Sequence, residues 1–303
     1  MTLPEPTPID LPSADGVTVA AYRWDPEGEP TAVVRLTHGM GEHVRRYDHL
    51  AGQLTARGWV VYGQDHRGHG ATVQRAGTEP GVIGADGWTE LVRDVGRLGD
   101  LARAAHPGLP HVLLGHSMGS FAVQQHLLDH GDDPDAVVLT GTAAIDLLEP
   151  ALDLDAPLDL TMFNAPFAPA RTDHDWLSRD EAQVDAYVAD PLCGFGLDGE
   201  GGRQMFVAAR RTADPEAAAA VPDDLPVLVA VGTHDPVGGD LALVNALVAR
   251  YTAAGLDDVT LLTYPEARHE VFNETNRDEV EADVVGWVAD RLAALSRCRG
   301  PSA

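Results

Sequence analysis

Lysine is absent from the 303 residues, cysteine occurs twice, and all 21 basic side chains are arginines. Without an amine side chain, Schiff-base chemistry and Ser-Lys dyads are excluded. Cys193 and Cys298 lie far apart and no CxxC pair occurs. That argues against a zinc ribbon or a disulfide scaffold, and no metal or cofactor is expected. Positive charge is outnumbered by 47 acidic residues, for a formal net charge of -26. A surface that acidic repels nucleic acid and anionic lipid at long range, so neither DNA nor RNA is expected as a partner. Nothing approaches the run of roughly 18 apolar residues needed to span a membrane. The opening MTLPEPTPID lacks the basic-then-apolar pattern of a signal peptide. A soluble cytoplasmic protein is the expectation. With 44% hydrophobic and 22% charged residues, the composition is that of an ordinary globular chain.

What is present is an alternation of strand and helix signals. Residues 17–24, 32–37 and 59–62 read as strands, as do 111–114, 136–139, 226–231 and 259–264. Helical spacing falls between them, with Val44, Tyr47, Leu50 and Leu54 in one stretch and Leu91, Val95, Leu98 and Leu101 in another. Further helices are expected over 118–128, 240–254 and 278–295. Alternating βα units imply a mostly parallel sheet with helices on both faces. The rhythm breaks between about 143 and 224, where Pro-broken, acidic and Ala-rich stretches carry no clean strand. The expected organisation is a core of residues 1–142 and 225–303, with 143–224 as a mainly helical cap inserted into it.

Gly115-His116-Ser117-Met118-Gly119 fits G-x-S-x-G. It follows the apolar run HVLL and opens a helix, the strand–turn–helix context that gives this motif meaning. A tight turn pushes the serine hydroxyl out at the carboxyl end of the sheet, and flanking glycines relieve crowding there. In folds built this way the acid and then the histidine follow the nucleophile in sequence. His269 sits in the loop after the last strand and is the expected base. Asp235, in the loop GTHDP after the preceding strand, is the expected acid; Asp146, several residues beyond the strand AVVL, is the rival. His234 adjoins Asp235 too closely to reach across, His126 and His130 lie on or just after the serine's own helix, and His174 lies in the insertion. A tetrahedral intermediate needs two preplaced N–H donors. The backbone N–H of Met118 is one candidate, and that of Met40, in the turn His38-Gly39-Met40-Gly41, is the other.

Several blocks resemble the monoacylglycerol lipase and lysophospholipase group of α/β-hydrolases, also described as serine aminopeptidase S33-like. HGMGEHVRRY is similar to that group's HGxGEHxxRY, GQDHRGHG to its D-x-RGHG, and GHSMGS to its GHSMGG, with Ser120 in place of the last glycine. DPVGGD and YPEARHEVFNE resemble its acid and histidine loops, and WLSRDEAQVDAYVADPLC the insertion of its bacterial members. The resemblance covers residues 13 to 295. It implies an α/β-hydrolase fold, a Ser117–Asp235–His269 triad, Met40 and Met118 as oxyanion donors, and residues 143–224 as a cap. Asp65, Arg67 and His69 read as residues that tie down a turn.

The insertion carries Met162, Phe163, Phe167, Trp176, Met205 and Phe206, an apolar set suited to one acyl chain or to packing the cap on the core. Gly39, Phe163, Phe167 and Trp176 are the expected substrate contacts. Neutral monoacylglycerols or similar single-chain acyl esters are the expected substrates. Lysophospholipids, which would call on Arg171, Arg179, Arg210 and Arg211, and aminoacyl substrates are alternatives. A non-catalytic ligand-binding protein is the alternative from another class. The cap helices could equally meet a membrane surface or a second subunit.

Overall fold

A computed structural model describes residues 5–299; residues 1–4 and 300–303 and the side chains of Cys298 and Arg299 lie outside that description. One eight-stranded sheet holds β1 (Thr7–Pro12), β2 (Thr18–Trp24), β3 (Ala32–Thr37), β4 (Trp59–Gln64), β5 (His111–His116), β6 (Ala136–Thr140), β7 (Val227–Gly232) and β8 (Val259–Tyr264). Their spatial order is β1-β2-β4-β3-β5-β6-β7-β8. Strands β3 to β8 run parallel, and β2 pairs antiparallel with both β1 and β4. Every residue of β3, β4, β5, β6 and β7 is buried, which is why these strands read as unbroken apolar runs rather than alternating ones.

Side chains still alternate between the two faces. Leu113, Val137, Leu139, Val227 and Val229 join one core, with Leu91 and Val95 of helix Gly87–Ala105 and Leu127 of helix Met118–His130. Val112, Leu114, Val138 and Leu228 join the opposite core, with Leu50 and Leu54 of helix Asp48–Thr55 and Val284 and Val288 of helix Arg277–Arg299. Helices therefore cover both faces, as an α/β-hydrolase fold requires. Two elements were not read from the sequence. Strand β1 carries Pro8 and Pro12, which confine it to the sheet edge and hide its pattern. Helix Gly70–Ala76 is too short to show a period.

The chain order reverses at β3. From β3 it steps outward to β4, then returns across β3 to β5. Such a switch point opens a crevice beyond the carboxyl ends of the two strands. The turn His38–Gly41 leaves β3 there, and Ser117 leaves β5 beside it.

Between β6 and β7 the described chain has no strand. It holds helices Glu181–Ala189, Gly199–Ala209 and Pro215–Ala218, and several 3-10 turns, the longest Leu160–Phe167. Pro150, Pro157, Pro166 and Pro169 interrupt its first half, leaving much of it as short turns and irregular chain rather than long helix.

A cluster of neutral histidines lies under the β3 turn. His38, His66 and His69 are fully buried, and the His38 and His66 rings sit 4.3 Å apart. His38 Nε2 accepts the His66 backbone N–H at 2.9 Å while Nδ1 donates to the Gly39 carbonyl at 2.7 Å. Burial holds His66 down to about 3 and His69 to about 4, and holds His38 well below the ordinary range. Unfolded histidines titrate near 6.5, so below that pH the unfolded chain takes up protons that the folded chain refuses. Stability is thus full above pH 6.5 and falls as pH drops towards these folded values. Denaturant unfolding should show a loss of about 3 kcal/mol from His66 and His69 by pH 5.5, with His38 acting in the same direction. An unfolding free energy unchanged between pH 7.5 and 5.5 would contradict this.

Candidate active site

Ser117 follows β5 with φ 51° and ψ -122°, backbone that a non-glycine residue rarely adopts. Strain of this kind costs on the order of 1–3 kcal/mol and persists only where the surroundings enforce it. The enforcement is steric. A Cβ on Gly115 would stand 2.7 Å from the Ser120 Cα. One on Gly119 would stand 2.5 Å from the His38 carbonyl oxygen and nearer still to that of Thr37. Gly115 is thus demanded by the new helix turning back over the end of β5, and Gly119 by the approach of that helix to β3. Gly119→Ala should push the helix start off β3, lowering stability by about 3 kcal/mol in thermal unfolding and reducing activity with it. Unchanged melting would contradict the packing argument. Ser120, where the resembling group has glycine, donates from Oγ to the Ser117 carbonyl at 2.6 Å and lies 2.8 Å from Thr142 Oγ1.

Asp235 and His269 come from the ends of β7 and β8. His269 Nδ1 lies 2.9 and 3.0 Å from the two Asp235 carboxylate oxygens, with both side chains almost fully buried. Asp235 Oδ1 also accepts the Val237 N–H at 2.9 Å, which fixes the carboxylate. Burial alone would lower the His269 pKa, but the Asp235 carboxylate, with Glu270 and Glu42 beyond it, raises it above the ordinary value. The imidazole is packed between His116 and Trp176, each ring 4.8 Å away. His116, bonded through Nδ1 to Thr140 Oγ1 at 3.0 Å, is held neutral by burial and by the His269 charge. Ser117 and His269 line one cavity. No hydrogen bond joins them in this conformation, and such bonds often tighten only when substrate binds.

Met40 and Met118 line the same cavity. Met118 is the first residue of its helix, where backbone N–H groups have no intrahelical acceptor. The Met40 turn is held by Glu42, whose Oε1 accepts the Gly39 N–H at 2.6 Å and the Tyr47 hydroxyl at 2.9 Å. Arg46 binds Glu42 at 2.7 Å and both oxygens of Glu270 at 2.6 and 2.7 Å. One guanidinium therefore ties the β3 turn to the histidine loop. Burial would raise the Glu270 pKa, yet Arg46 holds it at about 2. Glu42, Arg46 and Glu270 were not singled out from the sequence. Glu42 and Arg46 carry a visible i, i+4 spacing, but Glu270 lies 224 residues further on.

Gly39, Phe163 and Trp176 line the cavity, with the Phe163 and Trp176 rings 5.2 Å apart. Phe167 is not among the lining residues; its ring instead lies under the Arg268 guanidinium, 4.2 Å away. Asp146 is turned to Arg250, at 2.6 and 2.8 Å, and Asp235 rather than Asp146 meets His269. Arg179 is engaged by Glu274, Arg171 by Asp185, Arg210 by Glu149 and Arg211 by Asp129. Asp65 accepts the backbone N–H groups of Val44 and Ala71, and Arg67 binds Asp94 and Asp15. The turn of DHRGHG is thus tied down by its own side chains.

Apart from Asp159, the rest of the cavity is apolar, walled by Phe121, Ile145, Leu148, Leu152, Leu158 and Leu160, with Met162, Met205 and Phe206 beyond. The segment that supplies most of this wall is clipped to the histidine loop. His269 N–H donates to Trp176 O at 3.4 Å, and Glu270 N–H to Leu177 O at 2.8 Å. Arg268 binds the carbonyls of Asp175 and Ser178. Among the described residues no helix is long and apolar enough to cross a membrane.

Residues 28–276 match the family model described as serine aminopeptidase, S33. The chain is 35% identical to the monoacylglycerol lipase of Mycolicibacterium smegmatis over 283 residues, covering 91% of this chain and 95% of that protein. It is 32% identical to the mouse monoglyceride lipase, covering 94% and 92%. A thermostable carboxyl esterase from Bacillus coagulans, solved in complex with glycerol, superimposes with a TM-score of 0.83 at 27% identity, covering 95% of this chain and 99% of that one. The chain belongs to the serine aminopeptidase S33 family, in its monoacylglycerol lipase group, and is an ester hydrolase of the α/β-hydrolase fold.

Proposed function

We propose that the protein hydrolyses single-chain acyl esters, monoacylglycerols foremost, through an acyl-enzyme on Ser117. The observation that carries this reading is the His269–Asp235 pair opening, with Ser117, onto a cavity walled by leucine, methionine and phenylalanine. His269 Nε2 takes the Ser117 proton as Oγ attacks the ester carbonyl. The Met40 and Met118 N–H groups receive the charge that develops on the carbonyl oxygen. His269 then protonates the departing alcohol. Water activated by the same imidazole attacks the acyl-enzyme, and the carboxylic acid leaves. Asp235 keeps Nδ1 protonated and stabilises the imidazolium. Residues 143–224 act as a cap whose apolar side holds the acyl chain, and the exposed Leu147 and Met162 mark where it would meet a lipid surface.

An amine-reading site would need an unpaired carboxylate. Of the lining carboxylates, Glu42 and Glu270 both bind Arg46, and Asp159 accepts the Thr161 N–H and hydroxyl at 2.9 and 2.6 Å. Glu42 and Glu270 are thus neutralised by Arg46, which leaves Asp159 as the one lining carboxylate with no cationic partner in reach of a substrate amine. The pairing of all five arginines of residues 143–224, Arg203 with Glu200 included, disfavours a phosphate head group. A series of monoacylglycerols of increasing chain length tests the reading. A buried methylene is worth up to about 0.8 kcal/mol, so kcat/KM should rise by up to about fourfold per carbon until the cavity is full. A flat series, or faster turnover of an aminoacyl arylamide, would overturn it.

A further inference from the structure

Outside the cavity, one cluster of ligand-type side chains spans the contact between the β3 turn and the 143–224 segment. His43 closes the sequence HGMGEH, while Asp190 and Cys193 belong to the turn DPLC beyond helix Glu181–Ala189. A ring nitrogen of His43, a carboxylate oxygen of Asp190 and the Cys193 Sγ all lie within 4.8 Å of one another, and all three residues are half-buried. The carboxylate is already set in place. Asp190 Oδ1 accepts the Leu192 N–H at 2.8 Å, and Oδ2 faces His43 Nε2 at 3.0 Å. The backbone around the cluster is fixed by Cys193 N–H donating to Asp190 O and by Gly194 N–H donating to Gly41 O, each at 3.0 Å. Cys193 is a free thiol.

We infer that His43, Asp190 and Cys193 form a binding site for a zinc ion. One nitrogen, one oxygen and one sulfur ligand suit this borderline-soft cation, which takes three protein ligands and a water in open tetrahedral sites. Its usual bond lengths put tetrahedral ligands about 3.3–3.8 Å apart, so the widest separation must close by at most about 1.5 Å while the His43–Asp190 pair, now 3.0 Å apart, opens slightly. Side-chain rotation supplies that. On binding, the Cys193 thiol gives its proton to solvent, His43 binds as neutral imidazole through Nε2 with its ring proton on Nδ1, and the His43–Asp190 hydrogen bond is exchanged for two bonds to the ion. Arg46 is within electrostatic reach of Cys193, and Glu42 and Glu270 offset its charge there. The ion would tie the 190–193 turn to the turn that carries Met40. Sequence spacing gives no sign of this, because His43 and Asp190 are 147 residues apart.

The test uses a Cys298→Ser background, which leaves Cys193 as the only thiol. Zinc sulfate is titrated in competition with a chromophoric chelator, and the rate of Cys193 reaction with a thiol reagent is followed in parallel. One zinc per chain is expected, with reaction of Cys193 slowed at least tenfold at saturation and the melting temperature raised. His43→Gln and Cys193→Ser should each weaken binding at least tenfold and remove the rise in melting temperature. The inference is overturned if Cys193 reacts equally fast with and without zinc, or if both variants bind zinc as the parent does. None of these readouts depends on esterase activity, so the zinc site and the proposed substrate stand or fall separately.

Discussion

Ser117→Ala should lower kcat for ester hydrolysis by at least about 10⁴-fold, with the fold retained. Removing a nucleophile disables the base and the acid with it, because the three act as a unit; what survives comes from the oxyanion donors and from binding. The substitution removes one oxygen from a residue whose neighbours on either side are held by packing. Its melting temperature should therefore stay within a few degrees of the parent. Retained activity above about 10% would exclude Ser117 as nucleophile and would direct attention to Ser120, whose hydroxyl is engaged by the Ser117 carbonyl.

Asp235→Asn should cost on the order of 10⁴ in kcat, the size of effect seen when a triad carboxylate becomes an amide and the histidine tautomer is lost. The pH profile makes the test specific. His269 must be neutral to accept the Ser117 proton. Its folded pKa is raised above 6.5 by Asp235, Glu270 and Glu42 against the effect of burial. Turnover in the parent should therefore fall as pH drops through a value above 6.5. In Asp235→Asn the residual activity should fall at a lower pH, since the nearest negative charge is gone. Asp146→Asn, which removes the partner of Arg250, should leave kcat within a few fold. Equal loss in both variants would mean a general structural effect rather than a dedicated acid.

The sequence made the site legible because its chemistry sits at strand ends. Six apolar runs, a G-x-S-x-G turn and two loops after later strands place Ser117, Asp235 and His269 on one edge of a parallel sheet, and the register needs no further information. The match to hydrolase relatives sets aside the ligand-binding reading that the residues alone had left open. Less legible were features that depend on distant partners. Arg46 joins Glu42 to Glu270 across most of the chain, and no periodicity announces such a bond. Phe167 was grouped with Phe163 and Trp176 by composition, but Arg268 draws its ring aside. The insertion was harder still. Its prolines and aspartates break every helical period, so its apolar residues could be counted but not placed. Strand β1 was lost for a related reason, since Pro8 and Pro12 are tolerated only because it lies at the edge.

The central claim is an activated Ser117 at the mouth of an acyl cavity. Its most direct test is reaction with a long-chain fluorophosphonate, followed by intact-protein mass and by mapping of the adduct. One adduct per chain on Ser117 is expected, absent in Ser117→Ala and slowed competitively by a long-chain monoacylglycerol. An adduct on another residue, or labelling of Ser117 that monoacylglycerol leaves unslowed, would contradict the account.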